Sequence, residues 1–332
     1  METRFGTKPP TYGPPAILLP VKRLLTALIL IPLVLAAVFV APLWLFSLVI
    51  AALVLLTLHE YLKIAEGYGS QPFRIAAYGA AALVIAAFFA SAGISRAASY
   101  DVWRIFRDPL QCLVLLPVIF GVPVIFRASL FQASLRSALS DSAFSAFGIL
   151  YIAVPLGLLI PLRADPFQDV LIIFVLFAVW AGDIAAYYAG RAFGRRKLAP
   201  TVSPGKTWEG AIASLLASFV TAVLVFQFHR QIAQLFTGSK AAYFLVPGSL
   251  YRASHPSVEV SWGHVILLAV ATNLAAQFGD LFESAMKRGA QVKDSGSILP
   301  GHGGLLDRID ALLFAVPVVW YYATLTEILK PF

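Results

Sequence analysis

Apolar residues in this chain run on for far longer than the three-to-four spacing of a surface helix or the alternation of a half-buried strand would allow. Roughly 20 such residues are needed to cross the hydrocarbon core of a bilayer as a helix, and about nine runs of that kind can be traced. Residues 24–58 hold enough for two, and Pro42 marks the hairpin between them, because proline ends a helix at or near the residue before it. The remaining runs read as 75–94, 109–126, 145–162, 167–191, 207–228, 263–286 and 305–328. The expected fold is therefore all-α, a polytopic membrane protein. Residues 1–23 read as a tail, 24–162 as N-terminal transmembrane helices and 163–332 as a C-terminal transmembrane region that carries the chemistry.

Composition agrees with that pattern. Of 332 residues, 59% are hydrophobic and 13% charged, against roughly 25% charged in a soluble domain. If the runs alternate, most of the 25 Lys and Arg fall to one side: the tail, Lys63 and Arg74, Arg127 and Arg136, the group from Arg191 to Lys206, and the group from Lys287 to Arg308. Cytoplasmic loops carry such an excess, so that side and the N-terminus are expected inside. The same rule, with anionic headgroups, accounts for the net charge of +8 without nucleic acid. The tail holds Pro9, Pro10, Pro14, Pro15 and Pro20 and reads as cytosolic rather than as a secretory signal. Cys112 is the single cysteine, which rules out an internal disulfide and a cysteine-based metal site.

Polar residues concentrate in two places. In the first, Asp183 falls inside an apolar run, where a carboxylate costs about 2.5 kcal/mol or more unless it faces a cavity or a partner. Tyr187, Gly190 and Gly194 follow on the same helical face, and the two glycines have the spacing that lets helices approach closely. Beyond Arg195, Arg196 and Lys197 comes Ser203-Pro-Gly-Lys206-Thr207-Trp-Glu209-Gly210. Gly205-Lys206-Thr207 resembles the end of a phosphate-binding P-loop, but Pro200 stands where that motif needs glycine, so it is not a Walker sequence. Ser203 is expected to cap a helix that begins near Lys206, with Glu209 in its first turn. A helix start beside a lysine suits triphosphate oxygens.

The second place runs from Gln277 to Asp310. Asp280, Ser284 and Lys287 fall on one helical face at the end of a run, and Asp307 and Asp310 open the next. Acids at a helix start complement its dipole; Asp280 near a helix end does not. Carboxylates on neighbouring helices are the hard ligands magnesium takes, together with phosphate oxygens.

The run Ser284-x-Met-Lys287-Arg288-x4-Lys293-Asp294-x-Gly296-x2-Leu-Pro300-x-His302-Gly303-Gly304-Leu-x-Asp307-Arg308-Ile-Asp310 resembles the complete signature of bacterial phosphatidate cytidylyltransferases. The upstream Ser203 to Gly210 segment is similar to a second motif of that family. Two departures are Gly205, where lysine is common, and Ala311, where serine is frequent. The resemblance implies joining CTP to phosphatidic acid to give CDP-diacylglycerol and pyrophosphate, for phospholipid biosynthesis. It also implies Mg2+, a homodimer, contact with membrane lipids, and an active site on the cytoplasmic face of a bacterial inner membrane.

The phosphatidate phosphate is already a nucleophile, so the site must neutralise and align two anions rather than activate a side chain. On this reading Asp280 and Asp307 are the first metal ligands, and Asp294 and Asp310 the second. Lys206, Lys287, Arg288, Lys293 and Arg308 take phosphate oxygens, Gly301, Gly303 and Gly304 admit phosphate to backbone amides, and His302 donates to leaving pyrophosphate. Asp183, Ser203, Thr207, Glu209 and Ser284 complete the substrate site. An ion-coupled transporter using Asp183 and Asp280 as a relay is the alternative. A CDP-alcohol phosphotransferase is set aside because its Asp-Gly-x2-Ala-Arg pattern is absent.

Overall fold

The computed structural model describes residues 18–97, 135–164, 169–228, 262–298 and 303–328. The expected run 109–126, most of the tail, the connection 229–261, and Gly301 and His302 lie outside them.

α1 spans Leu18–Phe39, α2 Leu43–Gly67 and α3 Arg74–Ala97. Pro42 is the N-cap of α2 in extended conformation, as the sequence pattern requires. α1 begins before residue 24 because Pro20 falls in its first turn, where a missing N–H costs nothing. α4 spans Leu135–Gly148 and passes through a π-helical turn, Ile149–Ala153, into α5 (Val154–Gly157) and α6 (Leu159–Ala164). Pro155 cannot donate to the helical ladder, and the widened turn stands just before it. α7 is Asp169–Phe193, α8 Trp208–Gln227, α9 Trp262–Gly289 and α10 Leu306–Ile328. Between α7 and α8 lies a two-stranded antiparallel hairpin, β1 (Lys197–Ala199) and β2 (Ser203–Thr207).

Six segments among the described residues are long and apolar enough to cross a bilayer. The protein is thus a helical, polytopic membrane protein with one small hairpin added. Along α8, Ile212, Leu216, Val220 and Leu224 face outward, while Ser214, Ser218 and Ala222 are buried. That is the reverse of a soluble helix, and it is what lipid as solvent demands. The segment Leu139–Ala164 is the central post: 72% of its apolar window is buried, against 28% for α8. α7 packs on α8, α8 on α9 and α9 on α10, and α2 lies across the ends of α9 and α10. Tyr68 at the end of α2 donates to the Met286 carbonyl of α9 at 2.8 Å, so the two expected regions, 24–162 and 163–332, are in direct contact.

Candidate active site

The hairpin brings the first polar segment to the second. Lys197 pairs with Thr207 and Ala199 with Ser203, which keeps the chain extended through Thr207. The helix therefore starts at Trp208, and its cap is Thr207, whose Oγ1 accepts the Gly210 N–H at 3.2 Å. Ser203, expected as the cap, sits on β2 instead. Glu209 does occupy the first turn and accepts the Arg196 N–H at 3.3 and 3.4 Å, closing the hairpin base. Gly190 and Gly210 let α7 and α8 touch: a Cβ on Gly210 would lie 2.9 Å from the Ala186 carbonyl.

From β2, Lys206 forms an ion pair with Asp280 on α9. Arg288, exposed at the end of α9, donates to the Val202 carbonyl at 3.4 Å. The two motif segments therefore share one end of the bundle, as their expected joint chemistry requires. Gly279 permits the next approach. A Cβ there would meet the Asp310 carbonyl at 2.6 Å, so glycine lets α10 close on α9 beside Asp280. Asp183 on α7 interacts electrostatically with Asp280, Lys206 and Arg308, and buried Asp310 does so with Asp280, Glu283 and Asp183. α7, α9 and α10 thus bring three carboxyl groups within electrostatic range of one another, with Lys206 of β2 beside two of them.

A second knot lies beside it. Lys287 Nζ is 2.5 Å from Glu283 Oε2 and donates to Asp307 Oδ1 at 2.6 Å. The Asp307 carboxylate also accepts the Ser295 N–H (3.2 and 3.1 Å) and the Gly304 N–H (2.9 Å). Gly304 thus turns its amide inward to Asp307, a different duty from the phosphate contact expected of it. Gly303 has φ of 82°, a conformation that favours glycine, and it sets the loop into the start of α10. Ser284 is half-buried on α9; Lys293, Asp294 and Arg308 are exposed around the loop.

Among the described residues no group of three or more carboxylates, histidines or cysteines is drawn close enough to enclose a metal ion. Magnesium does not need one, since one or two protein carboxylates with phosphate oxygens suffice. The donor set fits: Asp183, Asp280, Glu283, Asp307 and Asp310 outnumber Lys206, Lys287 and Arg308, and a divalent cation bound among them would favour their ionised form.

The sequence profile of the cytidylyltransferase family matches residues 21–326. The chain belongs to the cytidylyltransferase family. Relatives are bacterial proteins called phosphatidate cytidylyltransferase. That of Haemophilus influenzae is 42% identical over 159 residues, 48% of this chain and 47% of its own length. That of Brucella suis is 38% identical over 187 residues, 56% and 59% of the two chains. That of Rickettsia bellii is 32% identical over 182 residues, 55% of this chain and 70% of the relative. The chain spans about half of the Haemophilus relative and about three fifths of the Brucella one. Membership in the cytidylyltransferase family leaves the transporter alternative without support.

Three members of this arrangement escape motif reading. Glu283 stands just before the signature run, yet it shares Lys287 with Asp307. Tyr151, on the π-helical turn, is buried, its hydroxyl has no hydrogen-bond partner among the described residues, and it lies within electrostatic range of Asp310, Glu283 and Asp280. Glu60 on α2 is buried against the signature loop. Glu60 lies two residues past the apolar run 24–58, so it lacks the signal that singled out Asp183, an acid inside such a run.

Proposed function

We propose that this chain joins CTP to phosphatidate, giving CDP-diacylglycerol and pyrophosphate, at the convergence of β2, α7, α9 and α10. The carrying observation is the surplus of carboxylates held there by residues of two separate motifs, next to lysines already within ion-pair reach. A phosphate oxygen of phosphatidate attacks the α-phosphorus of CTP in line. One P–O bond forms, the α–β bridging P–O bond breaks, and its electron pair leaves with pyrophosphate.

Lys206 and Lys287 exchange carboxylate partners for phosphate oxygens when the triphosphate arrives, a step with little net change in ion pairing. Arg288, Lys293 and Arg308, exposed at the rim, receive the remaining phosphates and the lipid headgroup. His302 is the donor to pyrophosphate. Bound Mg2+ would neutralise phosphate charge and polarise the α-phosphorus. Asp280 and Asp310, within electrostatic range of each other where α9 and α10 close at Gly279, would be its holders, with Asp183 also in range. Asp307, expected beside Asp280 as a first ligand, already accepts several donors; Asp294 remains an exposed reserve.

The site faces the cytoplasm of a bacterial inner membrane, and the protein works as a homodimer. Sidedness is checked with thiol labelling after Cys112→Ser: Thr201→Cys and Ser297→Cys, both at exposed positions, react from the same, cytoplasmic side. The function is tested by incubating purified protein with labelled CTP, phosphatidate and magnesium in detergent. Appearance of a CDP-lipid with stoichiometric pyrophosphate is expected; consumption of CTP without a lipid product would refute the reading.

A further inference from the structure

Glu60 belongs to α2, a helix that supplies none of the groups assigned above. It is 1% exposed. Its Oε2 accepts the Leu306 N–H at 2.8 Å and the Ser295 hydroxyl at 3.1 Å. Leu306 opens α10, and the first N–H groups of a helix have no partner within it. Glu60 therefore caps α10 from another helix, and the helix start, where positive dipole gathers, is favourable for a carboxylate.

The contacts continue inward. The Ser295 hydroxyl bonded to Glu60 accepts the Asp307 N–H at 3.4 Å, while the Ser295 N–H goes to the Asp307 carboxylate, which holds Lys287. Two loop positions have no room for any side chain because of this carboxylate. A Cβ on Gly296 would run into Glu60, and one on Gly304 would run into Ser295 Oγ and lie 2.8 Å from Glu60 Oε2. The support is firm: Tyr61, the next residue, donates to the Phe144 carbonyl at 3.1 Å, and Gly67 packs on Ala290 at the end of α9. Glu60 Oε1, by contrast, has no hydrogen-bond partner among the described residues. A buried carboxylate with one oxygen lacking a donor among the described residues is a costly cap, and what it positions accounts for it better than stability alone.

We propose that Glu60 is a positioning residue of the transfer reaction: through Leu306 and Ser295 it sets where Asp307, Arg308 and Asp310 stand. The inference rests on the function proposed above. It makes the N-terminal helices part of the catalytic apparatus rather than a lipid anchor alone. The group needed is the acceptor at Oε2, so Glu60→Gln serves nearly as well as glutamate, whereas Glu60→Leu leaves the Leu306 N–H and the Ser295 hydroxyl without it.

Turnover is measured per folded molecule, with folding scored by monodispersity in detergent. Glu60→Leu is expected to lower kcat about 10–100-fold with little change in KM for CTP, the pattern of displaced groups rather than lost substrate contacts. Glu60→Gln stays within about threefold of wild type. Gly296→Ala, which pushes the carboxylate away without altering it, lowers kcat in the same manner and serves if Glu60→Leu is not recovered folded. Hydrogen exchange of the 303–310 segment should quicken in Glu60→Leu or Gly296→Ala, while α7 and α8 keep their rates.

Folded Glu60→Leu or Gly296→Ala protein with wild-type kcat overturns the proposal, and so does Glu60→Gln as impaired as Glu60→Leu. A wild-type protein that makes no CDP-lipid would instead overturn the function itself, and with it any role of Glu60 in transfer.

Discussion

Two polar regions are built on the same helices and differ in one respect, whether their hydrogen-bonding and charge demands are met. In the first, Asn273 of α9 donates to Ser214 and Ser218 of α8 at 2.9 and 2.8 Å. Gln277, one turn on, donates to Asn273 Oδ1 at 2.6 Å and to the Ala211 carbonyl at 3.1 Å, and Ser218 donates to the Ala178 carbonyl of α7 at 2.8 Å. Gly182 admits the layer, since a Cβ there would stand 2.7 Å from Ser214 Oγ. These groups are neutral and matched to one another; Asn273, Ser214 and Ser218 are buried and Gln277 is half-buried. In the second region, which begins at Asp280 on the same helix, carboxyl groups outnumber the lysines paired with them. Glu283 Oε1, Glu60 Oε1 and the Tyr151 hydroxyl are buried without a hydrogen-bond partner among the described residues.

A matched neutral layer fixes the register of three helices in lipid, where polar groups have no water to turn to. An unmatched charged cluster is a poor stabiliser, because each charge taken from water must be repaid by its partners. Its use lies in the ligand that completes it. Polarity inside a membrane protein is thus of two kinds, and satisfaction rather than burial separates them.

Substitutions can break that distinction or sharpen it. The largest effect belongs to Asp280→Asn, which removes charge but little volume: turnover should fall on the order of 10²-fold or more at ordinary magnesium and recover in part at high magnesium. Asp310→Asn should behave alike, and the double variant should be little worse than either, as for groups acting through one ion. Full additivity would separate the two carboxylates. Steady-state rates across a magnesium titration decide it.

Lys206→Met comes next. Loss of one charged phosphate contact lowers kcat/KM for CTP about 10–100-fold while leaving the folded yield intact. Unchanged CTP kinetics would reduce Lys206 to a structural partner of Asp280. The smallest effect on catalysis is expected from Asn273→Leu in the matched layer. Turnover per folded molecule should stay within about threefold, while stability drops by about 1–2 kcal/mol, read as a lower midpoint in detergent unfolding. A large kcat loss without destabilisation would erase the line between the two regions.

The apolar runs and the motif residues were legible because both are local in sequence. A span is about 20 consecutive residues, and Ser284 to Asp310 compresses a helix end, a loop and a helix start into one readable stretch. Pro42 announced its hairpin for the same reason. What escaped is set by distance along the chain. Ser203 looked like a helix cap until Lys197–Ala199 paired with it and held it extended. Tyr151 needs a π-helical turn that no periodicity announces. Glu60 meets partners more than two hundred residues away, and only folding brings Leu306 and Ser295 to it.

The location of the nucleotide is the most direct test of the central claim that the unmatched cluster is the substrate site. A photoreactive CTP analogue bound with magnesium to the purified protein, irradiated and mapped by peptide mass spectrometry, should mark segments 183–209 and 280–310. Excess CTP should abolish both marks, and Asp280→Asn should weaken them. CTP-protected labelling confined to α1 and α3, with none in either segment, would contradict the account.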